Sequence, residues 1–290
     1  MREIRWKEVN TLTQGGYIAA FTDLARAHRI APAIKEDPLQ NPSSPYSDSA
    51  AAQSLAMAGL SDCGRRRKAN QDRFLIRADL NLLVLADGMG GANSGELAAE
   101  LATESIAATL AASEVRDAAA LGASLQSANG LVFARSAEPE HAGMGTTAIA
   151  ATIENAQLTA AYVGDSRLYL HRGGELRQLS RDHSRLQELI DEGFFTVRDS
   201  RRSGVGHLLT RAIGTKVSVE PELICEPLQG GDTLLLCSDG LSDLVDDWQL
   251  LDTLNACQGD LESTCRKLVD HANRNGGSDN ITVLLARYEG

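Results

Sequence analysis

Short apolar runs that end in aspartate and glycine are the clearest pattern along this chain. Residues 82–86 are continuously apolar and are followed by Asp87-Gly88. Thr233–Cys237 is a second run of this kind, followed by Ser238-Asp239-Gly240. A short apolar run bounded by turn residues is typical of a strand that is buried on both faces. Each run therefore predicts a buried strand that leads into a loop.

Further strands are predicted in the middle and at the end of the chain. Residues 146–153 and 157–163 predict two strands joined by a short turn. Residues 166–171 and 175–179 flank a Gly-Gly pair, which is a hairpin signal. Residues 281–288 predict a closing strand.

Helices are predicted where apolar residues recur at helical spacing, over residues 96–112, 118–135 and 261–273. The strands come in runs with helix pairs between them, and the chain has no internal repeat. This order favours mostly antiparallel sheets with helices packed outside over a doubly wound parallel sheet.

Residues 37–49 interrupt the pattern, because they combine three prolines with serines and asparagines, which is linker composition. Upstream, residues 17–30 have weak helical periodicity, which fits a short docking helix or a disordered tail equally well. The sequence therefore predicts an N-terminal extension and linker over residues 1–54, followed by a folded domain over residues 55–290.

Composition and charge narrow the function classes. The 290 residues are 43% hydrophobic and carry a net charge of −11. That apolar content supports a sizeable core, and the acidic balance disfavours a nucleic-acid binder. Residues 1–60 hold six basic and six acidic residues, so the excess acid lies in the remainder. The surplus carboxylates serve either solubility or cation binding.

The cysteines and the apolar runs bear on the compartment. The five cysteines include no Cys-x-x-Cys pair, so neither a disulfide framework nor a zinc site is expected. No apolar run approaches the ~20 residues of a membrane-spanning helix, and the N-terminus has no apolar signal region. We therefore expect a cytoplasmic protein without membrane insertion.

Aspartates at strand ends are the first candidates for chemistry. Asp87, Asp165 and Asp239 follow predicted strands, and Asp279 directly precedes one. One such aspartate most often caps a turn. Several at the ends of stacked strands can meet, and clustered carboxylates repel one another unless a cation such as Mg²⁺ or Mn²⁺ lies between them. Gly88 either makes a tight turn or offers its carbonyl as a further oxygen ligand.

Four basic residues, 65–68, stand shortly before Asp72. A solvated loop is the expected interpretation for three of them. One arginine near a metal cluster would bind phosphate well, because its guanidinium fork matches two phosphate oxygens. The glycines that follow Asp87 lack the P-loop and GxGxxG spacings, so nucleotide binding is not expected there.

Six motifs resemble, in order, those of the PP2C family of metal-dependent serine/threonine protein phosphatases, in its bacterial form. They are Ser61-Asp62-Cys63-Gly64 with Arg67 and Asn70-Gln71-Asp72, Asp87-Gly88-Met89-Gly90-Gly91, Gly145-Thr146-Thr147, Val163-Gly164-Asp165-Ser166-Arg167, Ser238-Asp239-Gly240 and Asp279-Asn280-Ile281-Thr282-Val283. Each motif alone is weak, but the ordered set spans residues 56–288. The resemblance implies an α+β, four-layer α-β-β-α sandwich for the domain over residues 55–290.

The resemblance also implies roles for single residues. Asp87 would bridge two core metal ions, and the Gly88 carbonyl would bind one of them. Asp239 and Asp279 would complete the shell of the other ion. Asp165, with Asp239, would hold a third and weaker ion. Manganese or magnesium is the implied cofactor.

Three other residues have implied roles around these ions. Asp72 would act near the metals through water molecules, and Arg67 would bind the phosphate. Asp62 would orient this loop from behind the ligands. Catalysis would depend above all on Arg67, Asp87 and Asp239.

The implied activity is hydrolysis of phosphoserine and phosphothreonine by attack of a metal-activated water, opposing a Ser/Thr kinase in bacterial signalling. The expected partners are phosphorylated proteins, among them the kinase or its targets, and the protein is expected to be a monomer. One alternative is an inactive relative that serves as a binding module, but the ligand set is present. A second is a phosphatase for a small metabolite, which a basic or aromatic pocket would favour.

Two features leave alternatives open. Met89 occupies the place of a histidine that some eukaryotic members use to protonate the leaving group, so a metal-bound water or another group must do so here. His183 is the histidine nearest a motif, and a structural role is the more expected one. By the same resemblance, residues 189–214 would be the family's variable flap, which is either a recognition surface or a mobile loop; its aromatic and basic residues are Phe194, Phe195, Arg198, Arg201 and Arg202.

Overall fold

A computed structural model describes residues 55–90, 94–195, 208–257 and 259–290 of the chain. The predicted N-terminal extension over residues 1–54 lies outside the described residues. So do Gly91 of the second motif and the flap arginines Arg198, Arg201 and Arg202.

Two antiparallel sheets form the centre of the domain. The first is five-stranded, and in spatial order its strands are β1 (Leu55–Asp62), β11 (Ile281–Tyr288), β10 (Thr233–Cys237), β7 (Arg167–Arg172) and β8 (Glu175–Gln178). The second is six-stranded, and its main path is β2 (Asp72–Arg77), β3 (Leu82–Met89), β5 (Ala148–Glu154), β6 (Gln157–Val163) and β9 (Glu222–Pro227), with the short β4 (Gly145–Thr146) paired to the end of β3.

The inner faces of the two sheets pack against each other. Successive side chains of a strand point to opposite faces, so alternate positions of one apolar run enter different cores. Leu83 and Leu85 of β3 share one buried cluster with Leu234 and Leu236 of β10. This central core lies between the sheets, as in a β-sandwich.

Helices cover both outer faces. The helices are α1 (Ser94–Ala111), α2 (Ala118–Ser136), α3 (Arg185–Asp191), α4 (Asp239–Ser242), α5 (Asp247–Asn255) and α6 (Leu261–Arg274), with 3₁₀ turns at Ala78–Leu80 and Pro139–His141. Leu82 and Val84 pack with Ile106 of α1, whereas Leu235 and Leu268 of α6 share another cluster. The predicted α+β sandwich, with layers in the order α-β-β-α, is confirmed.

The turns follow the sequence signals. Gly173 and Gly174, between β7 and β8, have φ of 59° and 82°, which is the left-handed conformation that a two-residue hairpin turn requires. The predicted hairpin is therefore present. The strand predicted over residues 146–153 is divided at Thr147, whose amide donates to the Asp87 carbonyl (2.9 Å) and thereby ties β4 and β5 to the end of β3.

Three strands had no clear signal in the pattern: β1, β2 and β9. Residues of β9 alternate between partly buried and exposed, because it pairs only with β6 at the edge of its sheet. Such a strand has no continuous apolar run to reveal it. Among the described residues, no helix has the length and apolar character required to span a lipid bilayer.

Candidate active site

The strand ends of both sheets meet at one cavity of about 480 Å³. Asp87 and Gly88 reach it from β3, Asp239 from the start of α4 and Asp279 from the residue pair that precedes β11. Asp165 reaches it from the turn after β6. The structure thus brings together the strand-end aspartates that the sequence singled out.

Asp72 lies behind the cavity wall, opposite Asp87 in the β2–β3 register. The residue is only 2% exposed. The Oδ2 atom accepts hydrogen bonds from Ser238 Oγ at 2.8 Å and Thr282 Oγ1 at 2.6 Å. Its other oxygen, Oδ1, is buried and has no hydrogen-bond partner among the described residues. A buried carboxylate oxygen in this state is suited to a water or cation in the adjoining cavity.

The acids of this cluster raise one another's pKa values. Burial, followed by the charges of neighbouring aspartates, holds the pKa of Asp87 well above its ordinary value. Burial raises the pKa of Asp165 to about 8, with Asp239, Asp182 and Asp243 adding to the effect. Burial also raises the pKa of Asp72 to about 6, although its two hydroxyl partners oppose the shift. Burial and mutual repulsion thus both disfavour the charged form of these carboxyl groups.

The residues fit a site for hard divalent cations. All the candidate ligands are oxygens, which is the donor type that Mg²⁺ and Mn²⁺ prefer. Gly88 is tightly enclosed, since a Cβ there would overlap the Gly95 carbonyl oxygen and would lie 2.7 Å from the backbone carbonyl oxygen of Gln71. Gly88 lines the cavity, and the close approach of backbone at this point is possible because it has no side chain.

Arg67 is the basic residue that lines the cavity among the described residues. Its Nη2 atom forms an ion pair with Asp279 Oδ2 at 2.6 Å, and its side chain is 52% exposed. The charges of Asp279, Asp239 and Asp87 contribute to a raised pKa of this guanidinium, with the hydrogen bond to Asp279 the largest cause. Arg67 therefore stands at the mouth, with its other donors available.

Two residues hold the loop that carries Arg67. Asn280 accepts from the Gln71 amide at 2.8 Å and donates to the carbonyls of Ala69 (2.9 Å) and Cys63 (3.0 Å). Asp62 accepts from the Gly64 amide at 2.8 Å and does not line the cavity. Sequence reasoning gave Asn280 no role, although its place directly after Asp279 in a motif was a signal.

Met89 and His183 are the two residues that bear on which group could protonate the leaving group. Met89 lines the cavity, where its thioether has no proton to donate. His183 is outside the cavity lining, buried, and stacked on Tyr162 with ring centroids 5.0 Å apart. Its Nδ1 accepts from the Gly164 amide at 3.1 Å, and burial lowers its pKa. His183 thus holds the turn that carries Asp165.

Comparison with known proteins decides the family. The model of the family described as Protein phosphatase 2C matches residues 60–281. The chain belongs to the protein phosphatase 2C family. The membership that the six motifs indicated is therefore confirmed, and the matched region includes every candidate site residue from Asp62 to Asp279.

Bacterial members of the protein phosphatase 2C family are similar over most of this chain. It is 38% identical over 234 residues to the serine/threonine protein phosphatase PstP of Mycobacterium tuberculosis, covering 80% of this chain and 45% of PstP. It is 37% identical over 235 residues to the serine/threonine phosphatase stp of Listeria welshimeri, covering 77% of this chain and 92% of that relative. The chain thus spans less than half the length of PstP.

Solved structures support the same assignment. The crystal structure of the M. tuberculosis phosphatase PstP/Ppp matches with a TM-score of 0.76 and 37% identity, covering 81% of this chain and 99% of the solved chain. The PstP catalytic domain in complex with two manganese ions matches with a TM-score of 0.74 and 36% identity, over 81% and 99% of the two chains. The fold of this domain is therefore that of the family.

The metal-free protein is expected to lose stability as the pH rises from about 4 to about 8. Asp72 and Asp165 have folded-state pKa values of about 6 and about 8 against an ordinary 3.8. The folded state binds more protons than the unfolded state across this window, so the free energy of unfolding falls as pH rises. Differential scanning fluorimetry in a chelator, on the natural chain and on Asp165→Asn, measures this contribution.

Comparing Asp165→Asn with the natural chain isolates the contribution of the Asp165 carboxyl to this pH dependence. Asp165→Asn is expected to flatten the upper part of the pH dependence, and Mn²⁺ is expected to stabilise the natural chain more at about pH 8 than at about pH 5, since metal and protons compete for the carboxylates. An Asp165→Asn profile identical to that of the natural chain would contradict the raised pKa.

Proposed function

We propose that this chain is a metal-dependent protein phosphatase that hydrolyses phosphoserine and phosphothreonine and opposes a Ser/Thr kinase in bacterial signalling. The main observation behind the proposal is that Asp87, Asp239 and Asp279 line the same cavity as Arg67. Acids that hold cations next to an arginine form a site for a phosphate ester.

The proposed cofactors are two core ions of manganese or magnesium. Asp87 and the Gly88 carbonyl would hold one, and Asp87 with Asp239 and Asp279 would hold the other. Asp165 and Asp239 would hold a third, with Asp72 acting from behind the wall through water. When bound, such ions supply Lewis acidity and lower the pKa of a bound water.

Arg67 is the proposed phosphate ligand. In the structure its guanidinium is bonded to Asp279 and is half-exposed at the cavity mouth. A phosphoryl group entering the cavity presents oxygens to the donors that Asp279 does not use, and the planar fork can bind two of them. Arg67 would thus orient the phosphate and offset the charge that develops on its oxygens.

No histidine lines the cavity among the described residues, and Met89 cannot donate a proton. We therefore propose that water protonates the leaving alkoxide. The Ser or Thr hydroxyl released in this way needs no side-chain acid at a fixed position.

The alternatives are less well supported. An inactive binding module would not need the full set of acids together with Arg67. A small-metabolite phosphatase would be favoured by a basic or aromatic pocket, whereas the described lining includes Arg67 as its basic residue and contains no aromatic side chain.

Five cysteines without a disulfide fit action in the cytoplasm. The paired kinase and a monomeric state stay predictions.

Phosphate release from a phosphothreonine peptide is the direct test. Full-length protein treated with chelator should be inactive, and Mn²⁺ should restore turnover, because the carboxylate cluster needs cations. Sugar phosphates and nucleoside monophosphates serve as the comparison substrates. Turnover that survives chelation would refute the metal mechanism, and preference for a metabolite over the peptide would favour the second alternative.

A further inference from the structure

Four consecutive basic residues beside the cavity are not explained by the proposed chemistry. We call this segment, Arg65, Arg66, Arg67 and Lys68, the basic rim. All four residues are exposed. Of the four, Arg67 lines the cavity, and the other three are its neighbours in the chain and do not line it. The sequence alone had favoured a solvated loop for these three.

Most other cationic side chains of the described residues form ion pairs, but three of the four in the basic rim do not. Arg67 pairs with Asp279, but Arg65, Arg66 and Lys68 have no carboxylate oxygen within 4.0 Å among the described residues. The arginines that do have one are Arg73, Arg77, Arg116, Arg135, Arg167, Arg172, Arg177, Arg181, Arg185, Arg211 and Arg287. On a chain with a net charge of −11, cations without a partner are accessible to an anionic ligand.

The backbone of the basic rim is fixed in place. The amides of Arg65 and Arg66 both donate to the Gly277 carbonyl, at 2.8 and 3.1 Å. Gly64 has φ of 76°, and a Cβ there would overlap the Asp279 carbonyl oxygen. The backbone of the segment is therefore anchored to the residues that precede the candidate metal ligand Asp279, so its side chains start from a fixed place beside the phosphate site.

We propose that the basic rim binds acidic side chains that flank the phosphorylated residue of a peptide substrate. This inference rests on the proposed phosphatase function and gives it a substrate class: phosphopeptides with Asp or Glu near the phosphorylated residue. An extended peptide spans up to ~3.5 Å per residue, so acids within about four residues of the phosphate are in range of the rim. Arg67 binds the phosphate, and Arg66 and Lys68 bind the flanking carboxylates.

A purely structural role is the rival explanation. The basic rim is bonded to the turn that follows α6, and cations near a helix C-terminus interact favourably with its last carbonyl groups. If that were their only role, neutralising these cations would lower the melting temperature and leave the choice of peptide unchanged. The two explanations therefore predict different measurements.

The test compares two matched double variants of the full chain. Arg66→Gln/Lys68→Gln removes two charges from the basic rim and retains both Arg67 and Arg65, whose Cγ packs near Gly277. Arg266→Gln/Lys267→Gln removes the same two residue types from exposed positions on α6 that do not line the cavity. Each is assayed with Mn²⁺ on a phosphothreonine peptide flanked by glutamates, on the same peptide flanked by glutamines, and on para-nitrophenyl phosphate.

The natural chain and the α6 control are expected to prefer the glutamate peptide by about two- to tenfold in kcat/KM, the range expected for two exposed ion pairs. The rim variant is expected to lose this preference through KM, with kcat and para-nitrophenyl phosphate turnover unchanged. Salt should reduce the preference, since exposed charges are screened.

Three outcomes would overturn the inference. They are a natural chain with no preference, a rim variant that keeps the preference, and a rim variant whose only change is a lower melting temperature. Failure of the proposed function looks different, because neither peptide would then be hydrolysed by any of the three proteins.

Discussion

Replacing Asp87 by asparagine is expected to abolish metal-dependent phosphatase activity and at the same time to stabilise the metal-free protein. Asp87 is the acid whose pKa is raised by burial and by the charges of Asp72, Asp239, Asp165 and Asp279 together. An amide of nearly the same shape removes the negative charge that these neighbours repel. It also removes the carboxylate that would bridge the core ions.

The activity is expected to fall strongly, whereas the stability of the metal-free protein is expected to rise. Activity with Mn²⁺ should fall by at least about a thousandfold, since the metal chemistry depends on this ligand. The free energy of unfolding in a chelator at about pH 8 should rise, because the neighbouring acids no longer face a buried negative charge at this position. Turnover of a phosphothreonine peptide and denaturant unfolding in a chelator measure them.

Asp79→Asn is the matched control, because Asp79 is an exposed acid whose pKa is lowered by its hydrogen bond to Arg77. It should leave activity unchanged and should not stabilise the protein. If Asp87→Asn kept its Mn²⁺-dependent turnover, the metal-bridging role would be wrong. If it unfolded more readily than the natural chain in chelator, the repulsion between Asp87 and its acidic neighbours would be wrong.

Gly88→Ala is expected to damage both the fold and the site. The added Cβ would overlap the Gly95 carbonyl at the start of α1 and lie 2.7 Å from the Gln71 carbonyl. Both obstacles are backbone atoms, so α1 or β3 must move. Overpacking of this kind costs about 2–3 kcal/mol, which lowers the melting temperature of a domain of this size by about 4–12 °C. Displacement of the Gly88 carbonyl should also weaken Mn²⁺ binding, measured by calorimetry.

Gly130→Ala provides the contrast within the same chain. Gly130 is an exposed residue of α2, and a Cβ there would meet nothing within 4 Å. Alanine is favoured over glycine inside a helix, so this variant should gain about 0.5–1 kcal/mol and keep full activity. Equal melting temperatures for Gly88→Ala and Gly130→Ala would show that the enclosure of Gly88 does not constrain the site.

The strands that the sequence predicted well are those buried on both faces. Residues 82–86 of β3 and residues 234–237 of β10 are continuously apolar because each strand contacts the central core on one side and a helix layer on the other. The aspartates at their ends were visible for the same local reason. In contrast, β2 and β9 are only partly buried along most of their length, and no short-range pattern marks such strands.

The order of motifs along the chain was enough to indicate the family and the fold class and to single out four of the five acids that line the cavity; the fifth, Asp243, had no signal. Tertiary structure alone decided how these residues are supported. The hydroxyl partners of Asp72 are 166 and 210 positions away along the chain, and Asn280 binds a loop more than 200 positions before it. It likewise decided which cations of the basic rim have a carboxylate partner. Local pattern cannot encode such contacts, because they exist only once the two sheets have packed and brought distant strand ends together.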